Sequence, residues 1–411
     1  MLNTTISGFI LPSPPPYALL PRFLAQLLTL LGTLVIANPA VAVDVDVLYL
    51  KQEIEQAPVL SNILPEPADS GIRGAELAIQ DNNSAGRFLK QHYQLQQFSS
   101  AEPSDLIERG QQWVQGGQRL ILADLPANTL LQLVRHPDID GKAVVFNVSA
   151  ADNSLRQQYC YRGLLHTAPS RAMLTDALMQ FLVSKRWQKW LLVKGQRRDD
   201  ERYASSLKRS SKRFGAKLVE EKTWRFDTDL RRSAAKEIPA FTHVRDHDVI
   251  VVADEIGDFG EYIPYNSHLP RPVAGTQGLS PLAWHRVVQQ WGAAQLQSRF
   301  EKLAGRWMNS RDYSAWLALR AIAEAVTRSG SDDIKTLYAY LLGPDFELAG
   351  FKGRKLRFRD WNGQMRQPIP LVHPRALVAT APLEGFLHPY SELDSLGYDR
   401  AEVKCTIAKK L

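Results

Sequence analysis

The residues best placed to do chemistry are charged pairs at the ends of apolar runs. Arg197 and Arg198 follow the run Trp190–Val193 and Gly195. A guanidinium fork meets a carboxylate through two parallel hydrogen bonds. Two forks at the carboxyl end of a strand would suit an anion with more than one carboxylate. The same side chains can instead stand in solvent and pair with Asp199, Asp200 and Glu201, and the sequence leaves both readings open. Arg73 and Arg162 are weaker candidates of the same kind. Asp254 and Glu255 close the run DVIVVA. They could act as an acid/base pair, but no partner nucleophile accompanies them, so ligand contact or helix capping is the better reading. His243 and His247 have a spacing that ligates metal on a helix, yet they precede a strand and read as a polar loop. The motifs GxSxG, HExxH and GxxxxGK[ST] are absent, and no GxGxxG follows a strand. No catalytic residue, metal site or resident cofactor is assigned, and nothing in the sequence requires an enzyme.

The elements that would position these residues alternate. His166 to Gly195 reads as turn, helix, turn and strand. Pro169 and Ser170 mark the helix start, and Met173, Leu174, Ala177, Leu178, Phe181 and Leu182 give it one buried face. Before it, strands are predicted at 43–50, 92–98, 119–123 and 143–148, with helices between them. The third strand opens into Asp124-Leu125-Pro126-Ala127, and the fourth ends at Asn147 and Ser149. Residues 151–168 break the rhythm and read as a polar crossing. Strand and helix then alternate again through 217–224, 227–236, 248–253 and 272–275. A helical stretch over 281–329, interrupted near Asn309, puts Trp284, Val287, Val288 and Trp291 on one apolar face and Trp316 on another. Trp284 and Trp316 read as core; Trp307, beside Arg306, is the tryptophan that could lie nearer the cleft. Alternation of this kind favours parallel sheets with right-handed crossovers. The expected class is α/β: two Rossmann-like lobes with parallel sheets joined by a hinge. Ligands of such sheets bind at the carboxyl ends of the strands.

The chain has 411 residues, 45% hydrophobic and 23% charged, with formal net charge +7. That balance is the balance of a globular protein long enough for two domains. The basic excess reads as a solvated face, Lys208, Arg209, Lys212 and Arg213 being an example. No zinc-finger or RNA-binding motif accompanies it, so nucleic acid is not an expected partner. Residues 1–42 differ in kind. They hold one base, Arg22, then the apolar run from Phe23 to Ala37, then Ala40-Val41-Ala42. This is the pattern of a secretory signal peptide, and the run is shorter than the ~20 residues a membrane span needs. The two cysteines, Cys160 and Cys405, permit one disulfide in an exported protein. One would lie in the crossing and the other in the C-terminal tail.

The runs GIRGAELAIQDNNSAG and DYSAWLALRAIAEAV, with the leader and the mid-chain crossing, resemble the type I periplasmic solute-binding proteins of ABC importers, the branched-chain amino-acid-binding kind. LHTAPSRAM, KRWQKWLLVKG, VADEIGDFGEYIPY, RPVAGTQGL and GFLHPYSELDSLGYD are similar to a branch associated with alcohol dehydrogenase systems that depend on pyrroloquinoline quinone (PQQ). The resemblance implies residues 43–162 and 282–368 as lobe 1, and 163–281 and 369–411 as lobe 2 with the tail. It implies a periplasmic binding protein that closes on a small ligand, docks on an inner-membrane permease and has a PQQ-dependent dehydrogenase as a further partner. Amino-acid binders of this fold present Ser or Thr after the third strand. Here Asp124 to Ala127 carries no hydroxyl, which argues for a larger, more acidic ligand, PQQ first. The expected ligand contacts are Arg197, Arg198, Asp124, Ala127, Asn147, Ser149, Asp254, Glu255 and Arg73. The alternatives are a sensor or cofactor carrier, an amino-acid binder, or an exported enzyme. Secretion from the native start is expected to remove residues 1–42. Intact-mass measurement of the secreted protein checks this, and retention of Phe23 to Ala42 would reject it.

Overall fold

The computed structural model describes residues 43–55, 65–225, 230–405, 407 and 411. The leader and its cleavage site lie outside the described residues. Among the described residues, no helix is long and apolar enough to cross a membrane.

The first sheet is parallel, in the order β2 (Gln91–Ser100), β1 (Val43–Gln52), β3 (Leu120–Asp124), β4 (Val144–Asn147), β5 (Leu164–His166). Successive side chains of a strand point to opposite faces, and both faces here are covered. Val47, Tyr49, Leu122 and Phe146 join one core, which α1 (Ile72–Leu89) and the long helix at 310–329 complete. Leu48, Leu50, Ile121 and Val145 join another, under α2 (Pro103–Gln115) and α3 (Ala127–Arg135). Burial on both faces explains why these strands read as continuous apolar runs.

The second sheet is also parallel: β7 (Lys217–Thr223), β6 (Lys189–Lys194), β8 (Val249–Ala253), β9 (Val273–Gly275). Trp190, Leu192 and Val251 pack with α4 (Arg171–Ser184) and α5 (Arg198–Phe214). Leu191, Val193 and Ile250 face the other way, toward α6 (Leu230–Phe241). β10 (Ser280–Pro281) leads out of this lobe to α7 (Ala293–Ala304), α8 (Ser310–Ser329) and α9 (Ile334–Leu341). Two small antiparallel sheets follow. One joins β11 (Leu348–Ala349), β12 (Lys355–Phe358) and β13 (Met365–Arg366); the other joins β10, β14 (Ile369–His373) and β15 (Ala376–Ala381).

Two expectations are corrected. Leu164–His166, placed by the sequence in the crossing and at the start of lobe 2, pairs with β4 and closes the first sheet. The chain therefore leaves that sheet after His166; the three residues were too few to show a strand pattern. Residues 281–292 are not helical. Gly292 holds φ +83° and Trp291 φ +55°, a left-handed turn that ends any helix before α7 begins. Trp284 sits on irregular backbone, stacked on Tyr313 with ring centroids 4.5 Å apart.

The tail runs over both lobes. Asp176 of α4 accepts the Gly397 N–H at 2.8 Å, while Arg213 of α5 donates to the Gly397 carbonyl at 2.7 Å. Buried Asp394 pairs with Arg359 at 2.7 Å and Arg366 at 2.8 Å, both from the β12–β13 hairpin. Further on, the Lys404 N–H donates to the Gln157 carbonyl at 2.8 Å, Cys405 is bonded to Cys160, and Ile407 enters the first lobe's core. The denatured, unreduced protein is expected to titrate no thiol. The double variant C160S/C405S should lose about 2–5 kcal/mol of stability in urea unfolding. Two titratable thiols in the wild type would reject the bridge.

Candidate functional site

The strand ends converge on a cleft between the lobes. Its polar half is a cavity of about 640 Å³. From lobe 1 it takes Asp124 to Ala127 after β3 and Ser149 to Asp152 after β4; from lobe 2 it takes Arg171, Asp199, Arg202, Asp254, Glu255, Glu261, Thr276 and Gln277. Its apolar half, about 530 Å³, is walled by Val148, Leu174, Leu282, Trp284, Trp307 and Met308, with His285, Arg286 and Glu66 among them. Ser149, Leu174, Leu282 and Arg311 border both halves.

Local chemistry sets each wall. Asn147 is fully buried; its amide donates to the Ala150 carbonyl at 2.8 Å and accepts the Ala150 N–H at 2.9 Å. It shapes the turn that presents Ser149 and does not itself line the cleft. Asp254 accepts the N–H groups of Gly257, Asp258, Phe259 and Gly260 at 2.6–3.1 Å. Its negative charge is thus spent on capping the turn after β8, as the sequence reading allowed. Ser170 caps α4 by accepting the Met173 N–H at 3.2 Å, which delivers Arg171 to the cleft floor. Arg171 is 6% exposed. It donates to Glu255 at 2.6 and 3.0 Å and to Asp199 at 3.1 Å, and lies 3.3 Å from Asp152. Arg202 shares Asp152 at 2.9 Å and Asp199 at 3.0 Å. Burial holds the Glu255 carboxyl above its ordinary value even with Arg171 beside it.

The sequence reading of the charged residues is corrected here. Arg197 is the residue before α5, and its guanidinium forks onto Asp258, away from the cleft. Its backbone N–H is bonded to Asp200 in the acidic first turn of α5, while the acid that holds its side chain lies on the loop after β8. Arg198 borders an adjoining hollow of about 320 Å³ that shares Asp152, Arg171 and Arg202 with the cleft. Arg73 is taken by Asp69 at 3.0 Å and Glu76 at 2.8 Å. Asp124, Ala127, Ser149, Asp254 and Glu255 do line the cleft. His243 stacks on His268, centroids 4.1 Å apart. Among the described residues no group of three His, Cys, Asp or Glu side chains is arranged to hold a metal ion.

The residues that the sequence reading missed are Arg171, Arg286 and Arg311. Arg171 follows the capping serine directly, which is a signal that could have found it. Arg311 stands in the first turn of α8 and reaches Asp124 and Glu66 at 3.6 Å each. Arg286 differs from both. Its guanidinium carbon lies 3.2 Å from the Trp307 ring centroid, and Nη2 reaches the Pro374 carbonyl at 3.4 Å. Among the described residues no carboxylate pairs with it. Trp284, expected as core, is at once buried and part of the apolar wall.

This architecture is the fold of type I periplasmic binding proteins. No protein-family model and no curated relative matches the chain. Solved structures do. A branched-chain amino-acid ABC transporter periplasmic ligand-binding protein from Burkholderia xenovorans LB400 is 18% identical, with TM-score 0.66, over 88% of this chain and 99% of that one. A solute-binding protein of an ABC transporter from R. palustris, in complex with benzoate, is 14% identical, with TM-score 0.58, over 81% and 93%. Another from Rhodopseudomonas palustris BisB5, in complex with 3,4-dihydroxybenzoic acid, is 11% identical, with TM-score 0.59, over 80% and 93%.

Asp200 ties the two loops of lobe 2 together, accepting the Glu255 N–H at 2.8 Å and the Arg197 N–H at 3.2 Å. Burial, with Asp254 and Asp258 near, pushes its carboxyl up from 3.8 to about 6. A raised folded-state value means the native protein binds the extra proton. The contribution of this group is therefore fully present below pH ~4 and lost as pH rises through ~6. Urea unfolding across pH 4–7 should show wild-type stability falling relative to Asp200→Asn over that window. A constant difference between the two proteins would reject the shift.

Proposed function

We propose that this chain is the periplasmic substrate-binding protein of an ABC importer, closing its lobes on an aromatic carboxylate and handing it to an inner-membrane permease. The reading involves no covalent step and no resident cofactor. Closure of two lobes about a hinge moves the walls as bodies and excludes water from the ligand. One observation carries the choice of ligand. Arg286 is a cation without a carboxylate partner among the described residues, set in a wall of Trp284, Trp307, Met308 and Leu174. Such a wall buries a ring, and an unpaired guanidinium receives one carboxylate. Arg171, Arg202 and Arg311 already face acids.

PQQ is the finer reading, supported by the runs similar to the PQQ-associated branch and by its planar ring. Its three carboxylates would have to be met by Arg286 and Arg311, since Arg197 and Arg198 stand elsewhere. The acids of the polar half oppose a trianion, so we place PQQ second to a monocarboxylate. A dehydrogenase partner belongs to the PQQ reading alone.

Calorimetry on the mature protein with benzoate, PQQ and leucine tests this. Arg286→Ala should weaken aromatic-acid binding by about 2–5 kcal/mol, the cost of removing one partner of a desolvated charge pair. Arg197→Ala should leave it unchanged. Leucine binding without any aromatic acid would return the protein to the amino-acid readers.

A further inference from the structure

The polar half of the cleft has a chemistry that the carboxylate of the ligand does not use. Most of its charges are spent. Glu255, Asp152 and Asp199 serve Arg171 and Arg202, and Asp254 is filled by four backbone N–H groups. Two carboxylates keep hydrogen-bond acceptor capacity, one on each wall, although Asp124 also has the Arg311 charge beside it. On lobe 1, Asp124 is 4% exposed at the end of β3. Its Oδ2 accepts a hydrogen bond from the Tyr49 hydroxyl at 3.1 Å, and its Oδ1 lies 3.6 Å from Arg311, beyond hydrogen-bond reach. Gly71, with φ +84°, makes room for this pair: a Cβ there would lie 2.1 Å from the Tyr49 oxygen and 3.3 Å from Asp124 Oδ2. The carboxylate is thus built into the wall rather than swung in from solvent. On lobe 2, Glu261 lines the same cavity with no partner among the described residues, and burial together with Asp254 holds its carboxyl above the ordinary value. Gln277 beside it likewise has no side-chain partner among the described residues.

We infer that Asp124 is a specificity determinant: with Glu261 facing it from the other lobe, it selects aromatic acids that carry a hydrogen-bond donor at the end remote from the carboxylate, and it rejects a second carboxylate. The inference rests on the aromatic-acid reading above and adds the chemistry of the far end. The physical basis is symmetry of sign. Closing the lobes brings acids from both walls around one space. A hydroxyl or amino group there donates to them. A bare ring leaves buried acceptors unsatisfied, which is costly. A carboxylate adds like charge in a site that is losing its water. A site built to pair a donor discriminates strongly against an analogue that lacks it.

Three para-substituted probes separate these outcomes: benzoate, 4-hydroxybenzoate and terephthalate, titrated by calorimetry into the full mature protein, Asp124→Asn and Glu261→Gln. Wild type should bind 4-hydroxybenzoate at least tenfold more tightly than benzoate, and terephthalate at least a hundredfold more weakly than 4-hydroxybenzoate. In Asp124→Asn the hydroxyl advantage should shrink to a few-fold and terephthalate should gain affinity. Glu261→Gln should move both in the same direction by less; it serves alone if thermal melts show that Asp124→Asn does not fold. Equal binding of benzoate and 4-hydroxybenzoate by wild type, or a ranking unchanged in both variants, overturns the role of Asp124 and leaves the aromatic-acid reading standing. Binding of none of the three by wild type overturns that reading and the inference with it.

Discussion

The buried guanidinium of Arg171 is the interaction on which the cleft depends. It stands at the start of α4, the first helix of lobe 2, and faces Asp152 on the loop after β4 of lobe 1. It also fixes Glu255 at the end of β8 and Asp199 in the first turn of α5. A charge out of water is costly unless it is paired and hydrogen-bonded. Parting the lobes here would cost the contact with Asp152, while Glu255 and Asp199 would still hold the charge. Two strand ends and two helix starts are held in register by one side chain, and the walls that line the cavity inherit their positions from it.

With the charges of the floor paired to one another, the two halves of the cleft differ. The half near Asp124 and Glu261 has surplus acceptors, and the half near Trp307 has a surplus cation. A ligand reads this gradient along its long axis, so orientation and recognition come from the same arrangement. Net charge on the whole chain says nothing of it. The chain is basic by +7, yet most arginines near the cleft are matched by acids a few residues or one loop away.

Much of the fold was legible because burial on both faces writes the same pattern into the central strands: LILA, WLLV and VIVVA are apolar throughout. Ser170 marks the start of its helix in sequence and in structure alike. β5 was too short to show a period. The stretch from Trp284 to Trp291 has helical spacing, but backbone left-handed at Trp291 and Gly292 overrides it. The site was less legible, for a physical reason. Arg197 and Arg198 occupy a position where ligand contacts are expected, and Arg197 is lost to Asp258, which lies on the loop after another strand. Arg286 matters because no acid reaches it, and the absence of a partner is a property of the folded chain that no local pattern encodes. Asp124 was noticed for lacking a hydroxyl neighbour; its meaning needed Tyr49 and Gly71 beside it. The cysteine pair was the simplest case, since two thiols leave one possible bond.

The tail gives the hinge a mechanical stop. At Gly397 it is gripped by α4 and α5 of one lobe, and at Cys405 it is covalently fastened to the other. A chain reaches at most roughly 3.3–3.6 Å per residue, so the stretch between these anchors can span no more than about 29 Å. It is a tether of fixed length between the two lobes. The distance between the two anchors has an upper limit set by chain length, so the lobes can part freely only where the tail does not join them.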